Sequence, residues 1–399
     1  WTDDEIYGAN WTESFKMAWR PINSLLVRGT YGSAFRAPNL RELYLANQTG
    51  FGTIGDPCYV SSDAIDALTG TYDPAKDKRE PEILTNCLAN GVDPTLAYAA
   101  GTTSFSTELS AGGALDLNPE ESESWSFGFA WEQPFSNEFD LAISSTYYEI
   151  EVTNTIIEPS GQYIVNDCYG STTGNSVFCD RIKRDLSDPT DPRIDIIDQG
   201  FINRDSETAR GIDFNIAFND VWTIMDRPYN IGLDLVANRQ LERSTLFVDA
   251  EGNEDFEEYA GEWGFPGWKA NMFFRVGYDD WRFTWESRFI KSVHQDALSV
   301  DEFSDAFTAS DTCLGPAYGD VLCRDYSDAK DYVTLNVSLY YSADNWDVGF
   351  GVRNLEDKAP PKVDGSEILS VNNAPIGYGY DLNGRVFFMN VSYRFGNAD

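Results

Sequence analysis

Six cysteines are the residues of this sequence whose positions most directly suggest a chemical role. They fall two by two into three segments rich in turn-forming residues, as Cys58 with Cys87, Cys168 with Cys179, and Cys313 with Cys323. No pair has the CxxC spacing that is typical of zinc and redox sites, so structural disulfides are favoured over a metal. We predict one disulfide within each segment, and hence an oxidising compartment.

This chain has few residues that suit catalysis. His294 is the only histidine, so the residues for a histidine metal centre or a Ser-His-Asp triad are not present. The acidic stretches 185–198 and 249–262 have carboxylates that suit calcium, but they match no EF-hand spacing, and a solvated acidic loop is the favoured interpretation. The sequence therefore predicts no enzymatic activity, no cofactor and no metal site.

Aromatic residues in turn-rich segments are the remaining candidates for ligand contact. Their rings could stack on a sugar or on an aromatic iron chelator, although such rings also pack loops against one another. The seven candidates are Tyr59, Tyr72, Tyr169, Tyr259, Trp263, Trp268 and Tyr318. Acidic loops argue mildly against an anionic ligand. Iron chelates, oligosaccharides, peptides and cobalamin-like ligands all stay open.

The elements that must position these groups alternate with a period of two. In the last of them Phe387, Met389, Val391 and Tyr393 alternate with residues that become polar towards the end of the strand. Such alternation predicts half-buried strands. The eleven predicted strands are 13–20, 24–34, 121–133, 138–152, 200–218, 229–243, 267–278, 281–293, 330–342, 345–354 and 384–396.

The polar sides of these strands distinguish between two all-β architectures. Arg282, Glu286 and Arg353 alternate with large apolar residues, and charges at such positions would be costly in the core of a soluble sandwich. A water-filled barrel lumen accommodates them, while the apolar side faces lipid. The aromatic content of 14% suits the interfacial girdles of such a barrel.

Charge and hydropathy exclude other classes of protein. The formal net charge of −36 would repel nucleic acid, so no nucleic-acid partner is expected. No run of 18 apolar residues exists, which excludes helical membrane spans and leaves a barrel as the way to cross lipid.

Turn lengths alternate along the chain. Short turns are predicted near residues 21, 135, 223, 279 and 343. Long external loops are predicted at 46–118, 153–199, 244–266, 294–329 and 355–383. Short turns on one side and long loops on the other are typical of outer-membrane barrels. The predicted fold is all-β, a transmembrane antiparallel β-barrel with about 11 strands here, and residues 1–399 form part of one domain.

Four strings resemble signatures of TonB-dependent outer-membrane receptors. The most specific is YGSAFRAPNLRELY at 31–44, in which a strand is expected to end near Phe35 and a short helix to span 39–45. The others are LNPEESESW at 117–125, NLEDKAPP at 354–361 and the final strand at 391–395. The family usually ends at the last aromatic, whereas residues 396–399 follow Phe395 here.

The resemblance implies a 22-stranded barrel filled by an N-terminal plug, of which this chain would be the last half. The sequence starts at Trp1 without an initiator Met or a secretory signal, so the plug and its TonB-binding segment are expected upstream. The implied function is TonB-dependent import of a scarce nutrient across the bacterial outer membrane, with outer-membrane lipid, lipopolysaccharide and TonB as partners. The alternatives are a large passive porin and a secreted β-rich adhesin or lectin-like module.

Overall fold

A computed structural model of the chain describes residues 2–4, 7–66, 68–96, 102–172, 174, 176–188, 191–248, 254–294, 329–363, 368–372 and 374–395. One large antiparallel sheet dominates it, and each of its strands pairs with the next along the chain. Its strands are Ser14–Ile22 (β1), Leu25–Arg36 (β2), Glu120–Glu132 (β3), Phe139–Ile157 (β4), Ile202–Ile224 (β5), Arg227–Val248 (β6), Trp268–Tyr278 (β7), Trp281–Ile290 (β8), Tyr332–Ser342 (β9), Trp346–Arg353 (β10) and Val386–Tyr393 (β11). These are the eleven strands that the sequence predicts.

Some strand ends differ from the prediction. β1 continues past residue 21, where a short turn was expected, and ends at Ile22. β5 and β6 are longer than predicted and meet at Met225 and Asp226, whose φ angles are 50° and 59°. Two consecutive positive φ angles give the type I′ geometry that suits a tight hairpin.

The predicted loop 244–266 is in part a sheet extension. β6 continues to Val248, and a short strand, Glu254–Glu258, pairs with its end. β5 and β6 have 23 and 22 residues, whereas a membrane needs only about 9–11 residues per strand. The hairpin therefore extends well beyond the membrane on the side of the long loops.

The two faces of the sheet have opposite chemistry. Phe387, Val391 and Phe350 lie on the apolar face and are 73%, 60% and 53% exposed. Trp285 lies in one cross-strand row with Phe387, through Val337 and Val352 of the strands between them. Large apolar side chains that form no packed core on an exposed sheet face are expected for contact with lipid.

Aromatic rings form a band on the apolar face next to the short turns. Neighbouring rings are in contact there, with centroid distances of 4.8 Å for Tyr229 and Tyr278, 4.8 Å for Trp281 and Tyr341, and 5.5 Å for Tyr341 and Trp346. Such a band marks the interface between lipid and water.

The segments predicted as the first two long loops have secondary structure of their own. The strands Gln48–Gly55, Ser104–Ala111, Ile194–Asp198 and Ile182–Arg184 form a second sheet in that order. The helices are Leu40–Tyr44 (α1), Pro81–Ala89 (α2) and Gly161–Gly170 (α3), with single 3₁₀ turns at Ser62–Ala64 and Cys179–Arg181. Two small hairpins, Thr2–Asp4 with Gly8–Asn10 and Ser370–Val371 with Ala374–Pro375, complete the described elements.

Residues 48–111 and 160–198 form one unit, which we call the loop module. The two predicted loops share a core, because apolar residues from both segments pack together. The buried set is Ile54, Cys58, Tyr59, Cys87, Val92, Ile164, Val165, Cys168, Tyr169, Phe178, Ile194 and Ile197. Burial of apolar surface in a shared core makes the two loops fold as a single body.

Disulfides cross-link this core. Cys58 is bonded to Cys87 and Cys168 to Cys179, as the sequence predicts, with Cα atoms 5.5 Å and 4.9 Å apart. In the chain-entropy model each such link stabilises the module by roughly 3 kcal/mol. Cys313 and Cys323 lie outside the described residues, so their pairing stays a prediction.

A buried salt bridge joins the two segments of the module, 48–111 and 160–198. The guanidinium of Arg184 donates to both carboxylate oxygens of Asp56 at 2.5 Å and 3.0 Å. The side chains are only 5% and 2% exposed. Arg184 also donates to the hydroxyl of Tyr169 at 2.9 Å. Bidentate geometry and full hydrogen bonding are what a buried ion pair needs to be tolerated.

A second ion pair predicts acid sensitivity of the module. Arg79 donates to Asp77 and to the carbonyl oxygens of Pro57 and Pro94, so it ties three segments together. The hydrogen bond from Arg79 lowers the pKa of Asp77 to about 2. The ordinary value is about 4, so this contribution to stability is complete above pH ~4 and is lost as the pH falls through ~2.

We therefore expect hydrogen exchange in α2 to accelerate as the pH falls from about 4 to about 2, after correction for the intrinsic rate. Asp77→Asn should exchange faster than the native protein at neutral pH and should show a smaller change over this window. An identical acid response in the two proteins would contradict the assignment to Asp77.

Candidate functional site

The first two family-like strings meet at one arginine. Arg36, at the end of β2, donates to Glu120 at 2.5 Å and to Glu42 at 3.0 Å. Asn39 caps α1, and the carboxylate of Glu42 accepts the backbone N–H of Asn39, which completes a capping box. These residues fix the helix against the start of β3, so the residue spacing in these strings serves structure.

The third string closes the gap between β10 and β11. Asn354 is fully buried, and its side chain donates to the carbonyl of Lys358 at 2.9 Å and accepts the N–H of Lys358 at 2.7 Å. Asp357 then accepts the backbone N–H of Arg385 at 2.8 Å, directly before β11. The string is therefore a turn that brings the last strand into register.

Three of the predicted ligand-contacting aromatics are buried. Tyr59 and Tyr169 lie in the core of the loop module, where burial raises the pKa of both hydroxyls. Trp263 is 8% exposed and packs against Tyr378 and Tyr380 above the end of β8. These rings stabilise loops and present little surface to a ligand.

The other described candidates lie in separate places. Tyr72 donates to Asp77 at 2.8 Å in the loop module. Tyr259 is half-buried beside Phe265, at a centroid distance of 6.1 Å. Trp268 lies on the apolar face, stacked on Phe214 at 5.8 Å. Tyr318 is outside the described residues.

Metal ligation and helical membrane spans can be assessed over the same residues. In the part of the chain that the structure describes, no three His, Cys, Asp or Glu side chains are grouped so as to hold a metal ion. No described helix is both long enough and apolar enough to cross a membrane.

The polar face of β7–β11 carries more cations than carboxylates, whereas the predicted loops include strongly acidic stretches. Its cations are Lys269, Arg275, Arg282, Arg288 and Arg353, and its carboxylates are Glu286 and Asp347. The whole chain has the opposite balance, with 65 acidic and 29 basic residues. Positive charge is therefore concentrated on this face.

The cations occupy successive levels along the strands. Arg282 and Arg288 lie on β8, Arg275 faces Thr284, and Lys269 faces Ile290. Val352 faces Val337 on β9, so the next residue, Arg353, lies beside Asn336. Asn336 faces Glu286, and Arg353 is therefore level with Glu286. The levels are two residues apart, or roughly 7 Å, and the whole set spans roughly 27 Å. We call these five residues the cation ladder.

Two ladder residues are held by the same local arrangement. The guanidinium of Arg282 lies 5.6 Å from the centre of the Tyr340 ring, and that of Arg353 lies 5.4 Å from the Phe388 ring. Each ring in turn covers a glycine of β10, Gly349 or Gly351, where an added Cβ would come within 2.3 Å and 2.6 Å of ring atoms. Glycine is thus required for these rings to lie flat, and stacking leaves the guanidinium N–H groups available.

Alternation was the sequence feature that pointed to the ladder residues, because every second residue of a strand lies on the same face. In the sequence alone, Arg282 and Arg353 indicate only a wet lumen. The alignment of charges across strands requires the register between strands far apart in sequence.

Comparison with solved structures identifies a shared fold. Similar chains include a mutant of the ferric enterobactin receptor PfeA from Pseudomonas aeruginosa, with 14% identity and a TM-score of 0.53 over 98% of this chain and 41% of that one. The siderophore receptor PirA from Acinetobacter baumannii has 16% identity and a TM-score of 0.51, over 98% and 42%. This chain thus spans about two fifths of the length of these receptors.

Sequence comparison gives the family. Curated proteins yielded no match. The family model described as "TonB dependent receptor-like, beta-barrel" matches residues 2–355, which is most of the chain and includes two of the four strings in full. The chain therefore belongs to the TonB-dependent receptors, and its large sheet is barrel wall of a bacterial outer-membrane protein.

Proposed function

We propose that the intact protein imports a scarce nutrient across the outer membrane, with TonB transmitting the energy. The family match over residues 2–355 carries this proposal. The sheet supports it, since its apolar face suits lipid and its polar face suits an aqueous interior. The nutrient belongs to classes such as iron-siderophores or oligosaccharides, and solved receptors of similar fold bind enterobactin.

The proposal extends to the architecture of the barrel. β1 and β11 are the edges of the described sheet, and an open edge in lipid would leave backbone N–H and C=O groups without partners. We therefore place further strands next to both edges, with the eleven here as half of about 22. The intact barrel would hold a plug, and TonB would bind a segment that lies outside this sequence.

Dependence on the proton gradient separates this function from passive diffusion. Cells producing the intact protein would be given radioiron-loaded siderophores or labelled oligosaccharides, to find a probe that they accumulate and that cells without the protein do not. A protonophore should then stop accumulation across the outer membrane. Uptake that continues at full rate would indicate a porin. A protein that partitions into buffer rather than detergent would indicate the secreted adhesin or lectin-like module.

A further inference from the structure

One edge of the loop module is a strand that is paired on one side only. The strand Gln48–Gly55 pairs with Ser104–Ala111, and no other described strand adjoins it. Successive residues of an antiparallel strand direct their backbone groups to opposite sides. Asp56 donates its N–H to the carbonyl oxygen of Thr103 at 2.7 Å, which places the even-numbered residues on the paired side. The residues that point outwards are Thr49, Phe51, Thr53 and Gly55.

A glutamine side chain already binds this edge in the way that a neighbouring strand would. The N–H of Gly55 donates to Oε1 of Gln162 at 2.7 Å, and Nε2 of Gln162 donates to the carbonyl oxygen of Gly55 at 3.0 Å. A further hydrogen bond, from Nε2 to Asn166 at 2.8 Å, holds the carboxamide in place. The side-chain amide thus reproduces the pair of bonds that a residue of an adjoining strand makes. The edge therefore has the geometry to pair, and Gln162 marks one end of the part that remains.

This edge lacks the features that protect edge strands from pairing. Natural proteins use charged side chains, proline or bulges for that purpose, and the strand Glu254–Glu258 has four acidic residues out of five. Gln48–Gly55 has no charged residue, no proline and no register shift. An added Cβ at Gly50 would meet no described atom within 4 Å, so packing does not explain this glycine. Glycine inside a strand often marks the close approach of another backbone.

The surroundings of the edge favour a cationic partner. Residues 48–111 and 160–198 include 16 acidic and 7 basic residues. Phe51 is 76% exposed, and Glu108 lies directly across from it on the paired strand, on the same face of the sheet. A lysine or arginine opposite Phe51 on an added strand would lie over the ring, which attracts a cation. Its charge would also reach towards the carboxylate of Glu108.

We propose that the Gln48–Gly55 edge binds an extended, basic peptide segment of a protein outside the cell by strand addition. The added strand would form backbone hydrogen bonds with Thr49, Phe51 and Thr53, and one of its basic side chains would contact the Phe51 ring. In this mode the main-chain bonds supply affinity and alternate side chains supply selectivity. Ile54 belongs to the disulfide-linked core of the module, so the edge is held in place before the partner arrives. The proposal concerns a protein partner and does not depend on which nutrient is imported.

Hydrogen exchange of the intact protein in detergent, resolved to single amides, tests whether the edge is open. The amides of Phe51 and Thr53 should exchange at least about tenfold faster than those of Gly52 and Ile54, because only the latter two point towards the paired strand. Protection of Phe51 and Thr53 in the protein alone would mean that another segment or a second copy covers the edge. That result would overturn the proposal.

Fluorescence anisotropy tests binding, with a labelled peptide of alternating threonine and arginine as the probe at about 50 mM salt. It should bind at least about tenfold more tightly than a peptide of alternating threonine and glutamate, and it should protect Phe51 and Thr53 from exchange. Thr53→Pro removes an outward N–H that the sheet of the module does not use, and should weaken binding by at least about tenfold. Thr53→Ala is the matched control, since it keeps the N–H and should leave binding unchanged.

A second variant covers the case in which proline disturbs the module, which faster exchange in α3 would reveal. Phe51→Ser keeps every backbone group and should weaken binding of the basic peptide by about fivefold. Equal binding by the native protein, Thr53→Pro and Phe51→Ser would overturn the proposal. Binding without protection of Phe51 and Thr53 would also overturn it, and would indicate that the basic peptide binds elsewhere on the acidic surface.

Discussion

Replacing Arg184 by Met is expected to unfold the loop module while leaving the barrel sheet in place. The substitution removes the guanidinium but leaves the carboxylate of Asp56, which is 2% exposed, without its partner. Breaking a buried ion pair in this way costs about 3–5 kcal/mol, because an uncompensated charge stays in a poorly solvated site. Hydrogen exchange in α3 and in the strand Ile194–Asp198 should accelerate by at least about 100-fold.

The control for this prediction is an ion pair of the same module at the surface. Lys76 lies 3.7 Å from Asp73, with side chains 56% and 38% exposed. Lys76→Met should change the exchange rates by less than about fivefold, because exposed pairs contribute about 0–1 kcal/mol. Comparable acceleration in both variants would show that the burial of Arg184 is not what stabilises the module.

Arginine on the apolar face should destabilise the barrel far more than arginine one residue further along. Val337 lies near the middle of β9 in the row that includes Trp285 and Val352. Its neighbour Ser338 is on the polar face, opposite Thr284 and Gly351. Val337→Arg should cost about 2–4 kcal/mol, because it places a charge at the depth of the lipid midplane.

Ser338→Arg should be close to neutral, since its side chain would reach the aqueous interior. Guanidinium titration of the intact protein in lipid bilayers measures both variants, and a heat-modifiable gel shift reports whether each barrel forms. Equal destabilisation by the two substitutions would contradict the assignment of the faces. Greater destabilisation by Ser338→Arg would reverse it.

The strands were predictable because their signal is local. Alternation within eight to ten residues places Phe387 and Val391 on one face without knowledge of any distant contact. Their ends were less predictable, since β5 and β6 continue past the membrane with sequences in which the alternation fades. The pairing of Glu254–Glu258 with β6 depends on a hairpin, and an acidic composition does not indicate it.

The loop module was not predictable by the same means. Tyr59 donates to Asp191 from 132 residues away, and Gly55 bonds to Gln162 across 107 residues. In α3 the buried residues Ile164, Val165, Cys168 and Tyr169 recur at helical spacing, but a local period does not show that two distant segments share one core. The cysteine pairs likewise gave the cross-links but not the shared core.

Some features of the candidate site could be predicted from the sequence, and others depended on tertiary structure. Aromatics such as Tyr169 were chosen for ligand contact from composition, but tertiary packing decides whether a ring is exposed, and Tyr169 is 2% exposed. The ladder residues were visible as polar members of alternating strands. Their alignment followed only once the register of β7 to β11 was known.

Uptake by cells with and without TonB tests the central claim most directly. The intact protein would be produced in both strains at equal surface level, and accumulation of the probe identified above would be compared at concentrations too low for passive entry. Energy-coupled import predicts accumulation only in the strain with TonB, while binding of the probe at the cell surface stays the same in both. Accumulation at full rate without TonB would contradict the account, even if the barrel and its faces are as described.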